Sequence, residues 1–309
     1  MRGLELSKAF FERFGLPMLR NEFAEYADRI AAGLVGHGSE CFGYDDDISA
    51  DHDFEPGFCL WITEEDDSIF GFRLMRAYSR LPKEFEGISI KKRSLLGSDG
   101  KGVHTIPDFY KFYTGRSGAP RDWREWMSIP SHYLAEAVNG EVFYDPMGVF
   151  SGIREEIKNG MPFDVRLKKI AARAVMMAQT GQYNYSRCIS HGEKCAAEIA
   201  LHEFAKETVQ MVFLLNSEHC PYYKWMFRAM KSLSMLSDVA DDLESLLLCN
   251  SGNVAGRKQM IENICEKIAS QLKAMELSDS EDGYLEGHAF SVNSKIKNPE
   301  IRNLHIMEG

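Results

Sequence analysis

The stretch GHGSECFGYDDDISADHDFEPGF (36–58) places reactive residue types at a telling spacing. Gly38 and Ser39 are followed by eleven residues, then by Asp51, His52 and Asp53. On a strand, side chains alternate between faces, so Asp51 and Asp53 point one way and His52 the other. Two carboxylates that close repel each other unless a cation lies between them. Hard oxygen donors in this arrangement suit Mg²⁺, or Mn²⁺, whose coordination is completed by water and substrate phosphates. ATP or another nucleoside triphosphate would fill that gap. Gly38 and Ser39 are the complementary half, because a glycine after a strand lets the backbone come close and the turn beyond it offers N–H groups and a hydroxyl to phosphate. Acidic runs more often mark solvated loops. The Gly-Ser pair after an apolar strand tips the reading toward a site.

Strands must carry these side chains. AAGLVG (31–36) is a small apolar run closed by glycine and reads as a buried strand that feeds Gly38 and Ser39. FCLWIT (58–63), GISIKK (87–92) and GVHTI (102–106) have strand composition, and DSIFGFRLMRAYSRL (67–81) has helical spacing. Residues 4–31 show a helical pattern that Gly15 and Pro17 are expected to split into two short helices. The Gly, Ser and Pro cluster GRSGAPRDW (115–123) marks a boundary. Beyond it, four long segments carry apolar faces; in QMIENICEKIASQLKAM, Ile261, Ile264, Ile268 and Leu272 recur at three and four residues. The expected architecture is α+β: a mixed-sheet domain over 1–122, a helical bundle over 123–277, and a tail over 278–309 docked on the body.

A chain of 309 residues with 44% hydrophobic content buries a sizeable core, and a net charge of −10 excludes a non-specific grip on nucleic acid or an anionic membrane. Seven cysteines without a CxxC pair read as reduced thiols and point to the cytoplasm. No apolar run approaches the ~18 residues of a membrane span, and the charged N-terminal segment does not read as a signal peptide.

Other residues compete for a role. Lys224 lies among Tyr222, Tyr223 and Trp225, where it can meet a triphosphate or simply cover aromatic surface with its stem. Arg187 and Lys194 flank SRCISHGEK and can add positive charge at a cleft, although a solvated loop is the commoner outcome. Asp145 precedes a proline and reads as a turn residue. His191, Cys195, His219 and Cys220 lack the spacing of a zinc site.

Three longer stretches, GLVGHGSECFGYDDDISADHDFEPGFCLWI, GEVFYDPMGVFSGIREEI (140–157) and LLNSEHCPYYKW (214–225), together resemble the DUF4037 family. The first also resembles the signature of the nucleotidyltransferase superfamily that includes DNA polymerase β. The resemblance implies transfer of a nucleoside monophosphate from an NTP to a small-molecule or protein acceptor, with Asp51 and Asp53 holding the metal. Relatives use a third carboxylate on a neighbouring strand. Here Asp108 is the first choice for third ligand or base and His104 the second. The weakness of that third position leaves a second expectation open, a degenerate member that binds nucleotide as a sensor or partner subunit without turnover.

Overall fold

A computed structural model describes residues 2–46, 55–89 and 100–309 of the chain. The chain divides into two compact units, Met1–Arg121 with Ile129–Gly160, and Asp122–Ser128 with Met161–Gly309.

In the first unit, α1 (Gly3–Phe10) passes through a π-helical turn (Phe11–Gly15) straight into α2 (Leu16–Glu22). The expected break at Gly15 and Pro17 is therefore absent. Pro17 falls in the first turn of α2, where it costs no intrahelical hydrogen bond. Gly15 lies where a Cβ would come within 2.5 Å of the Phe58 ring. There follow β1 (Ala31–Leu34), β2 (Cys59–Ile62), α3 (Glu64–Asp66) and α4 (Phe72–Ser79), then the short strands β3 (Glu84–Phe85) and β4 (Ile88–Ser89). β5 (Gly102–Thr105) runs directly into α5 (Ile106–Thr114). After α6 (Trp123–Ser128), which belongs to the second unit, the chain returns as α7 (Ser131–Val138), β6 (Glu141–Tyr144) and α8 (Val149–Asn159).

The main sheet has the order β5-β2-β1-β6. β1 is antiparallel to both neighbours, whereas β2 and β5 are parallel. All four residues of β2 are buried, as befits a central strand covered on both faces. Alternation sends Leu60 and Ile62 into a cluster with Phe10, Phe11, Phe58, Phe70 and Leu74. Trp61 points to the other face, stacked on Phe150 of α8 at 3.9 Å with Phe109 of α5 edge-on at 5.4 Å. Each such ring removes roughly 150–250 Å² from water, worth about 4–6 kcal/mol of apolar transfer. Exposed ion pairs such as Arg80–Glu22 contribute far less. The apolar clamp on β2 therefore sets where the strand ends lie.

Every regular element among the described residues of the second unit is a helix. α9 (Phe163–Met177) continues through a π-helical segment (Ala178–Tyr185) into α10 (Ser186–Ser190), and is followed by α11 (Lys194–Leu215), α12 (Met226–Met230), α13 (Val239–Leu248), α14 (Val254–Ala274), α15 (Leu285–Ser294) and α16 (Pro299–Arg302). α9 packs against both α11 and α15. In α14 the periodic residues Ile261, Ile264, Ile268 and Leu272 are all buried, and Asn253 caps the helix by accepting the Gly256 N–H. The buried Lys168 donates to Asn293 Oδ1 at 3.0 Å and to the Leu304 carbonyl at 2.8 Å, tying α9 to the last segment. The protein is thus α+β, a mixed four-stranded sheet with a helical C-terminal region. No described helix is long and apolar enough to cross a membrane.

Burial, reinforced by Arg173, lowers the Lys169 pKa from 10.5 to about 8. A folded-state value below the unfolded one means the unfolded chain holds more protons between the two, so stability rises with pH from about 8 to 10.5. Lys169→Met should flatten that rise and stabilise the protein at pH 7, by up to roughly 3 kcal/mol. Chemical denaturation across this pH range checks it.

Candidate functional site

The site is built on the exit of β1. Beyond Leu34 the backbone turns through Gly36 and Gly38, whose φ angles of +123° and +108° are conformations that side-chain-bearing residues rarely adopt. The turn then enters a short 3₁₀ helix (Glu40–Phe42), and the Ser39 carbonyl accepts from Phe42 and Tyr44 N–H. One side chain from a distant part of the sequence holds this turn. Asn139, just past α7, accepts the Gly36 N–H at 2.8 Å and donates to the Gly36 carbonyl at 2.7 Å. Asn139 is itself held, because the Arg154 guanidinium donates to the carbonyls of Asn139 and Gly140. Burial depresses the Arg154 pKa.

A cavity of about 290 Å³ opens beside the turn. Leu34, Val35, His37, Glu40 and Cys41 form the side nearest β1, Gly100, Lys101 and His104 the side nearest β5, and Asp108, Phe109, Phe112 and Tyr113 of α5 close it. Lys101 and Glu40 form a buried ion pair at 2.9 Å, their side chains 8% and 9% exposed, and Lys101 also donates to the Glu55 carbonyl at 2.7 Å. His37 Nδ1 lies 2.7 Å from Glu136 Oε2 of α7. Its ring meets Phe112 edge-on at 5.2 Å and Tyr113 at 5.6 Å.

Cys41 lines the cavity and Cys59 lies in β2 behind Gly100, and burial removes both thiols from nucleophilic chemistry. Cys59 is pushed up to about 12, and Cys41 well above the ordinary thiol value. Each instead donates a hydrogen bond, Cys59 to the Gly100 carbonyl and Cys41 to that of His37. Burial, reinforced by Glu136, likewise raises Tyr113 and keeps its phenol protonated.

The structure brings several sequence candidates together. His104 lies in β5 paired with Trp61, and both His104 and Asp108 line the cavity beside the Gly38-Ser39 turn. Asp108 also completes the N-terminus of α5: Thr105 Oγ1 accepts its N–H at 3.1 Å and donates to its Oδ2 at 2.8 Å. Asp51 and Asp53 lie outside the described residues. Lys224, Arg187 and Lys194 belong to the second unit, where all three are exposed and Arg187 lies over the Tyr183 ring at 5.7 Å. Asp145 is the turn residue its proline suggests, accepting the Ser151 N–H at 2.8 Å. Sequence reading missed His37, Glu40, Lys101 and Glu136. His37 carried a signal in its place between the two turn glycines, whereas its partner Glu136 is set by packing across a long stretch of chain.

Residues 126–226, about a third of the chain, match the family model of DUF4037, a domain of unknown function. The match takes in the stretches 140–157 and 214–225 and begins after the Gly-Ser turn. No protein of curated function matches the sequence. The chain is similar to the crystal structure of a nucleotidyltransferase-like protein from Exiguobacterium sibiricum 255-15, at 12% identity and a TM-score of 0.35, over 90% of this chain and 88% of that one. A likeness at that TM-score fixes neither fold nor activity.

Two substitutions test the site's construction. A Cβ on Gly38 would meet only Glu40 Cγ at 3.7 Å, so Gly38→Ala should cost backbone strain alone, of order 1–3 kcal/mol, as a lowered denaturation midpoint. Lys101→Met removes the buried ammonium that faces the Glu40 carboxylate and should lower stability by up to about 3–5 kcal/mol. Adding Glu40→Gln should recover most of that loss in the same measurement.

Proposed function

We propose that the protein is a metal-dependent nucleotidyltransferase that moves a nucleoside monophosphate from an NTP, ATP foremost, to a small-molecule or protein acceptor. The observation that carries this reading is the turn leaving β1. Gly38 and Ser39 sit at a glycine-enforced bend whose neighbours line a cavity of about 290 Å³, and Asp51 and Asp53 follow at the spacing of the two-carboxylate signature. The open backbone at Gly38 and the Ser39 hydroxyl suit a phosphate, and Phe109 and Phe112 give the cavity an aromatic wall.

Among the described residues no group of three or more His, Cys, Asp or Glu can hold a metal ion. The carboxylates at the cavity have other work, Glu40 with Lys101 and Asp108 with Thr105. Metal binding in this reading therefore falls to Asp51 and Asp53. A Mg²⁺ ion held there would offset charge on the attacking and leaving oxygens of an in-line displacement. The chain's own part is to cradle phosphate at the Gly38-Ser39 turn and to keep the reacting groups apart from bulk water.

The commitment of Glu40 and Asp108 also favours a second reading, nucleotide binding without turnover. Incubation with α-labelled ATP, Mg²⁺ and a cell extract separates the two. Transfer predicts a labelled product that Asp51→Asn or Asp53→Asn abolishes. ATP binding by calorimetry with no pyrophosphate released would favour the second reading, and neither binding nor product would end both.

A further inference from the structure

We infer that Asn139 is the positioning residue of the phosphate cradle, and that it acts on nucleotide through the orientation of the Gly36 carbonyl. This rests on the transferase reading above. The Asn139 amide offers one acceptor and one donor to the same glycine: its Oδ1 takes the Gly36 N–H at 2.8 Å, and its Nδ2 donates to the Gly36 carbonyl at 2.7 Å. Both bonds are partly buried, so water competes for them weakly. An amide makes the two together; a carboxylate, which accepts and does not donate, makes one.

The bond to the carbonyl is the one that shapes the cradle. The Gly36 carbonyl and the His37 N–H belong to one peptide unit and point in opposite directions across it. Glycine is open to both signs of φ, so in a turn with φ of +123° at Gly36 and +108° at Gly38 such a unit can flip at little steric cost. A flip exchanges an oxygen for an N–H in the step that leads to Gly38 and Ser39, and an anion is held by N–H groups and repelled by carbonyl oxygens. Donation from Asn139 Nδ2 selects one of the two states. Ser39 favours an anion in the same way: its carbonyl is taken up by the Phe42 and Tyr44 N–H groups, and its hydroxyl caps no helix.

The backbone around Asn139 is built for this placement. Gly140 has a φ of +65° and lies so close to β1 that a Cβ there would come within 1.9 Å of the Leu34 carbonyl oxygen. That close approach brings the residue before it within reach of Gly36. Arg154 of α8 holds the same backbone, its guanidinium donating to the Asn139 and Gly140 carbonyls, so the Asn139 side chain is left to the turn. The amide also carries no charge. Aspartate in its place would lose the donor and bring a negative charge beside the cradle.

The test is calorimetry on the full chain with two probes, ATP and inorganic tripolyphosphate, each with Mg²⁺. Asn139→Ala and Asn139→Asp should weaken both probes by roughly 10–10²-fold and in equal proportion, because the clamp acts on the part the two share. Acetamide, which carries the same acceptor and donor, should return part of the affinity to Asn139→Ala, and acetate should not. Ile264→Val, in the core of the second unit, should lower the denaturation midpoint and leave both affinities unchanged, which separates positioning from stability. Unchanged affinities in Asn139→Ala, a loss confined to ATP, a loss that acetamide does not relieve, or an equal loss in Ile264→Val would overturn the role of Asn139 and leave the transferase reading standing. Failure of the wild-type protein to bind either probe would remove both.

Discussion

A single glycine, Gly36, held at both its N–H and its carbonyl by Asn139, governs the geometry of the candidate site. The Gly36 N–H and carbonyl both bond that one side chain, and Arg154 in turn holds the Asn139 carbonyl. Because Gly36 starts the turn, its clamp decides where His37, Gly38 and Ser39 lie. A turn rich in glycine would otherwise sample many conformations, since glycine loses more backbone freedom on ordering than any other residue. The two hydrogen bonds offset part of that entropy, and the buried position of Gly36 shields them from competing water.

Much of the fold was legible because its signals are local. The apolar runs of β1 and β2, the strand composition of β5 and the heptad-like face of α14 appear in the sequence where the structure has them. The missed continuity from α1 to α2 has a tertiary cause. Gly15 suits a close approach to the Phe58 ring, and that contact is invisible to a rule that treats glycine as a breaker. The Gly, Ser and Pro cluster near residue 120 marks where the chain leaves the first unit, but nothing local shows that 129–160 returns to it.

The site divides along the same line. Gly38, Ser39, His104 and Asp108 drew notice through residue type and spacing. Glu136, Asn139, Lys101 and Glu40 did not, because each matters only through a partner far away in sequence. Glu136, Asn139 and Arg154 all fall within residues 126–226, the part matched to DUF4037, whereas the turn they support precedes it. The matched segment thus begins in α6 and contributes α7, β6 and α8 to the sheet-bearing unit before its helices continue into the second.

The place of β6 has a practical consequence for anyone dividing the molecule. β6 lies on the far side of β1 from β2 and returns from beyond the apparent domain boundary. A fragment ended at that boundary would strip one flank of β1 and leave a row of unpaired peptide groups open to water. Such an edge invites strand addition from a second molecule. Self-association of the shortened chain would then reflect where it was cut, and would say nothing about the assembly of the intact protein.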